Sequence, residues 1–162
     1  MDKFPITQQG YEKLEKEIKQ LKYVERPAII EAIATAREFG DLSENAEYHA
    51  AREKQSFIEG RILDLEGKFS RSEIIDTSKL SADSVKFGAT VKLIDDDTEE
   101  ENTYHIVGEY EADISKKRIS TQSPLAKALI GKSIGDIVEV ATPKGGKAYE
   151  IVEISFQKFE LD

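Results

Sequence analysis

The 162-residue sequence contains no cysteine and no tryptophan, a single methionine, two histidines and four prolines. Without cysteine there are no disulfides, no thiolate nucleophile and no thiolate metal ligands. His49 and His105 alone leave little material for a zinc site. No apolar run approaches the ~20 residues that span a bilayer. The opening residues, MDKFPITQQG, lack the apolar stretch of a secretory signal. The expectation is a protein that stays where it is made, in the cytoplasm, away from membranes. Basic residues are outnumbered, 23 against 32 acidic, for a formal charge of −9. That balance opposes a broad phosphate-binding surface, so any nucleic-acid contact must be local. A self-contained enzyme of common type is disfavoured.

What is present divides by texture near Ile75–Ser81. Residues 1–76 are dense in Glu, Lys, Ala, Leu and Ile, whereas residues 77–162 carry short β-branched runs and six glycines. In the first part, Thr7 is a candidate N-cap, and Tyr11, Leu14, Ile18 and Leu21 follow at the spacing of a coiled-coil stripe. The stripe slips around Glu25 and resumes at Ile29, Ile33 and Ala36. Pro27 costs ~3 kcal/mol inside a regular helix, so a kink or local restart is expected there. Phe39-Gly40-Asp41 supplies a stop. A second helix, from about Ser43 to Ser70, places Ala51, Ile58, Ile62, Leu65 and Phe69 on one face. A helix of ~30 residues is a rod ~45 Å long. Two such helices joined by a short turn are antiparallel neighbours, and the remainder of the chain is too small to cover them. The expectation is a projecting finger tipped by Glu38–Glu47.

Residues 77–162 read as a small α+β module. Phe87–Ile94 and Tyr104–Glu109 are strands around the acidic connection Asp95–Glu101, which lacks the spacing of a calcium loop and reads as a solvated hairpin loop. Ser123 (N-cap) and Pro124 (N1) open a short helix, Leu125–Ile130, closed by Gly131. Ile134–Ala141 and Lys147–Phe156 flank a second hairpin turn. There is no internal repeat.

The informative feature is the tip. Asp41 and Glu44, flanked by Glu38 and Glu47, gather like charges at an exposed apex. One reading is structural: Asp41 and Glu44 have capping-box spacing, Ser43 is an equal N-cap candidate, and acids favour a first helical turn. The other is that the carboxylates are an incomplete metal site. Mg²⁺ is often held by one or two protein carboxylates, with phosphate and other ligands completing its shell. Nothing else in this chain completes such a site, so a partner must supply the remainder, as in two-metal hydrolysis. Arg37 and Arg52 lie ~6 and ~15 Å from the turn by helical rise. They are either ion-pair partners of Glu38 and Glu53 or supports for an RNA phosphate. Tyr48 and His49 either stack on a base or point into the seam, with packing or an exposed surface favoured for His49.

The run ATAREFGDLSENAEYHAAREKQ, Ala34–Gln55, closely resembles the tip of the Gre-type bacterial transcript cleavage factors, the GreA branch in particular. So do FGATV from Phe87, YHIVG from Tyr104 and SPLAKALIGK from Ser123. The likeness runs from about Ile6 to Phe156. It implies an N-terminal antiparallel coiled-coil hairpin (1–76) and an FKBP-like β-rich polymerase-docking domain (77–162). It further implies a cofactor and not an autonomous enzyme. The coiled coil enters the secondary channel of a backtracked RNA polymerase, where Asp41 and Glu44 help hold a Mg²⁺ shared with the polymerase and organise the attacking water. No metal is then bound by the factor alone. The polymerase cleaves its own nascent RNA near the 3′ end and restarts. By the same resemblance Arg37 and Arg52 contact the transcript, and Ser123 and Pro124 match the loop that meets the channel rim. Gln122 departs from relatives that carry an acid at its position.

Three rival functions are weighed against this. A channel-binding regulator could keep the finger yet inhibit transcription without cleavage, against which Asp41 and Glu44 stand intact. Prolyl isomerisation lacks the aromatic pocket it needs. A chaperone arm exposes apolar tips, whereas this tip is acidic. A monomer is expected, since a symmetric dimer must leave the finger free. Leu42, between the acids, is expected to pack under the turn and preorganise them.

Overall fold

The computed structural model describes residues 2–77, 80–157 and 161. The chain forms two compact units, one built on Glu12–Ser72 and the other joining Lys3–Tyr11 to Glu73–Asp162. Of residues 1–76, Lys3–Tyr11 and Glu73–Asp76 cluster with the second unit. Strand β1 (Phe4–Ile6) pairs with β2 (Ser72–Ile74), and Phe4 and Ile6 are buried. The fold class is α+β, a helical hairpin and a β-rich domain, as expected.

In the first unit, helix α1 (Gln8–Gln20) gives way to a π-helical turn at Leu21–Glu25, then α2 (Arg26–Arg37), and α3 (Ala46–Arg71) returns. The π turn is how the chain accommodates Pro27. A proline ring collides with the carbonyl four residues earlier and offers no N–H. Widening the preceding turn, with the Arg26 N–H bonded to the Leu21 carbonyl, admits Pro27 as the second residue of α2. The π turn carries one extra residue, so the buried face passes from Leu21 to Ile29, eight positions on, and continues through Ile33 and Ala36. The slip read around Glu25 is this insertion. Contacts run in descending order along α3: Lys22 to Glu66 at 3.4 Å, Arg26 to Glu59 through two 2.8 Å bonds, Ala36 to Asn45. The helices are therefore antiparallel. Ala51, Ile58, Ile62 and Leu65 of α3 close the seam.

The second unit carries a five-stranded sheet in the order β5-β4-β3-β7-β6. Its strands are β3 (Thr90–Asp95), β4 (Glu101–Val107), β5 (Arg118–Ser120), β6 (Ile137–Thr142) and β7 (Gly145–Ser155). All pairs are antiparallel except β4–β5. Val91, Leu93, Ile106, Ile119, Val138 and Ile151 bury one face against Ala126 and Leu129 of helix α4 (Pro124–Leu129). Ser123 caps α4 by accepting the Ala126 N–H at 3.2 Å.

Two acids behave differently from their neighbours. Asp95 is buried, not solvated like the rest of its hairpin loop. It accepts the N–H groups of Asp97 and Thr98 and the Lys147 ammonium, and the Asp97 bond leads in holding its carboxyl below the usual range. Glu111 is also buried. It accepts the Thr7 N–H at 2.6 Å, the Thr7 hydroxyl at 2.9 Å and the Gly108 N–H at 2.6 Å. Thr7 in turn accepts the Gly10 N–H at 3.0 Å, the capping role its sequence suggests. Among the described residues, no helix is long and apolar enough to cross a membrane.

Candidate functional site

The tip is built by the end of α2 and the start of α3. After Arg37 the Glu38 and Phe39 N–H groups close on the Thr35 and Ala36 carbonyls. Gly40 then reverses the chain at φ +111°, a backbone region that side chains disfavour. Asp41 folds the next bend onto itself, its Oδ1 accepting from the Ser43 N–H at 3.0 Å and the Ser43 hydroxyl at 2.8 Å. These two bonds, led by the backbone one, hold the Asp41 carboxyl below its ordinary range and keep it ionised.

The cap of α3 is Asn45, a correction to both sequence candidates, Ser43 and the Asp41–Glu44 capping box. Asn45 Oδ1 accepts the Tyr48 N–H at 3.0 Å, while its Nδ2 donates to the Ala36 carbonyl at 2.7 Å. One side chain thus closes the ends of both helices, donating through its amide nitrogen and accepting through its amide oxygen, which an ionised Asp, an acceptor only, cannot do. The acids are thereby released from capping. Glu44 and Glu47 are exposed and make no ion pair among the described residues, and with Asp41, Phe39, Asn45 and Ala46 they line one shallow depression. Leu42 does not pack under the turn: it is 37% exposed. Ser43 and Asn45 order the loop instead, and His49 Nε2 lies 3.2 Å from the Ser43 carbonyl oxygen.

Among the described residues Arg37 and Arg52 form no ion pair with Glu38 or Glu53, and the Arg37 guanidinium carbon lies 5.8 Å from the centre of the Tyr48 ring. Tyr48 is half-buried at the seam, edge-on to the exposed His49 ring. His105, the other histidine, bonds Thr90 through Nδ1 at 2.9 Å. Ser123 and Pro124 lie in the second unit at the start of α4, with Pro124 and Gln122 exposed. Among the described residues no three histidines, aspartates or glutamates gather as a metal site. The tip therefore fits part of an oxygen-ligand site for a hard cation, two exposed carboxylates that make no ion pair among the described residues, and not a complete one. Asn45 is the tip residue that sequence reasoning misses. The available signal was an asparagine nine residues after the last buried residue of α2.

A stiff hairpin with an acidic tip, joined to a small β-rich unit, is the architecture of a class of transcription elongation factors. The family model described as "Transcription elongation factor, N-terminal" matches residues 4–74, and "Transcription elongation factor, GreA/GreB, C-term" matches residues 80–156. The chain belongs to the GreA/GreB family of transcription elongation factors. Its relatives include Transcription elongation factor GreA of Rickettsia felis, 69% identical over 159 residues and 98% of each chain. The GreA of a Methylobacterium species is 66% identical over 96% of this chain and 99% of its own. Among solved structures, GreA factor homolog 1 (Gfh1) of Thermus thermophilus is 27% identical over 94% of this chain and 99% of its own, with a TM-score of 0.44.

Proposed function

We propose that this protein is a GreA-type elongation factor that binds RNA polymerase, inserts its hairpin into the secondary channel and stimulates the polymerase to cleave backtracked nascent RNA. The observation that carries the reading is the pair of exposed carboxylates at the hairpin apex, released from helix capping by Asn45 and making no ion pair among the described residues. Asp41 and Glu44 would hold a Mg²⁺ shared with the polymerase, an ion that when bound lowers the pKa of its water and polarises the phosphoryl oxygen. Ser43 fixes the Asp41 carboxylate and keeps it deprotonated, so that it presents charge without reorganising. Arg37 and Arg52 supply positive charge beside the acids for the RNA backbone, and Ser123 and Pro124 meet the channel rim. The protein acts as a cytoplasmic monomer, with no catalysis of its own.

The test is a backtracked elongation complex with a defined extruded 3′ end, incubated with wild type, Asp41→Asn or Glu44→Gln. Each variant should bind polymerase nearly as well as wild type while stimulated cleavage falls by at least about 10–100-fold, the loss typical of disturbing even the outer shell of a metal site. Equal loss of binding and cleavage would make the acids docking residues. Wild type that binds without provoking cleavage would make the protein an inhibitory channel binder.

A further inference from the structure

His49 reaches back across the tip from one turn inside α3. Its N–H donates to the Asn45 carbonyl at 3.1 Å, and its ring meets Tyr48 edge-on, the centres 5.5 Å apart. With backbone and ring so placed, Nε2 lies 3.2 Å from the Ser43 carbonyl oxygen. A carbonyl only accepts, so Nε2 is the donor. What that bond holds is a peptide plane, because the Ser43 carbonyl and the Glu44 N–H belong to one rigid unit. On one side of this unit the Ser43 N–H and hydroxyl grip Asp41 Oδ1 at 3.0 and 2.8 Å. On the other side begins Glu44, which is exposed and forms no ion pair among the described residues, so its carboxylate is placed through its backbone. The backbone bond that spans the same two residues, from the Asn45 N–H to the Leu42 carbonyl, is long at 3.4 Å.

We propose that His49 is a positioning residue: by fixing the peptide between Ser43 and Glu44 it sets the spacing of the two tip carboxylates before they meet a shared cation. This role rests on the function proposed above, since the spacing matters only where both acids serve one ion.

Two variants separate the bond from the ring. His49→Ala removes the donor, whereas His49→Gln keeps an N–H donor at a similar reach from the backbone. In the free factor, ¹⁵N relaxation reads the Ser43 and Glu44 amides. Their order parameters should fall toward about 0.6, the edge of flexible backbone, in His49→Ala and stay with wild type in His49→Gln. On backtracked complexes, His49→Ala should lose about fivefold in stimulated cleavage at limiting Mg²⁺, the net worth of one hydrogen bond, and regain most of it at saturating Mg²⁺. His49→Gln should cleave like wild type, and polymerase binding, measured separately, should be unchanged in both. In the Asp41→Asn and Glu44→Gln backgrounds the His49→Ala loss should shrink below about twofold, because no pair is left to space. Amides that stay ordered in His49→Ala, or loosen equally in His49→Gln, overturn the lock. Amides that loosen while cleavage and its Mg²⁺ requirement hold overturn the positioning role, as does a loss of undiminished size in the single-acid backgrounds. A parallel loss of polymerase binding makes His49 a docking residue instead. Wild type that provokes no cleavage overturns the proposed function and the positioning role with it, while the amide measurement still decides the lock.

Discussion

Replacing glycine by alanine within a helix ordinarily stabilises it by about 0.5–1 kcal/mol, and three helical glycines here should split in sign. Gly60 and Gly67, both on α3, have nothing within 4 Å of where a Cβ would sit. Gly60→Ala and Gly67→Ala should each gain the ordinary amount. Gly10, on α1, is buried, and a Cβ there would lie 2.0 Å from Glu111 Oε1 and 2.6 Å from Glu111 Cδ. Something must move, and Glu111 is poorly placed to yield. Its two oxygens are held by three donors from Thr7 and Gly108, and a second glycine, Gly108, lets the backbone approach its other side. Displacing it strands buried N–H groups, each costing about 1–3 kcal/mol when unsatisfied. The propensity gain is smaller than one such loss. Gly10→Ala should therefore lose about 2 kcal/mol net. In a unit of this size that is a fall of roughly 10 °C in Tm. Urea and thermal denaturation followed by circular dichroism measure all three variants on one scale. A Gly10→Ala protein as stable as wild type, or stabilised like Gly60→Ala, would refute the reasoning about Glu111.

Glu111 also has a pH signature. Burial raises its carboxyl pKa despite the opposing bonds from Thr7 and Gly108. A raised folded-state pKa means that the native state holds the proton more tightly, so this contribution is full below the unfolded carboxylate pKa and is lost as pH rises through the folded one. Glu111→Gln should remove that slope, which appears as the difference between urea midpoints of variant and wild type across pH 4–8; parallel curves would refute it. Asn45→Ala should cost about 1–2 kcal/mol, because the cap of α3 and the bond to the Ala36 carbonyl go together. Ser43→Ala should leave stability almost unchanged, and thermal melts that reversed this order would return the capping role to Ser43.

The stripe through Leu14, Leu21, Ile29 and Ile33 was legible because helical burial repeats, and its slip was legible because the repeat broke by one residue beside Pro27. The cap of α4 was legible because Ser123-Pro124 is a local signal. The cap of α3 was not. Asp41, Ser43 and Asn45 all qualify locally, and the choice depends on an Ala36 carbonyl nine residues back that only the folded hairpin brings within 2.7 Å. Strands β1, β2 and β5 have three residues each, too few for any period to register. Glu111 sits in a run of polar residues that reads as surface. Its partner Thr7 lies 104 positions away, so its burial is a tertiary fact. The exposed acids are legible because their character is chemical; what holds them, Ser43 and Asn45, is geometric.

The π turn at Leu21–Glu25 has a consequence for aim. Each residue added to or taken from a helix rotates everything beyond it by about 100°. The compass bearing of the acids is thus written into the stem, some fifteen residues below them, by a single surplus amino acid. Excising that one residue would leave every tip side chain chemically intact and swing the first strand of the stem out of step with its neighbour.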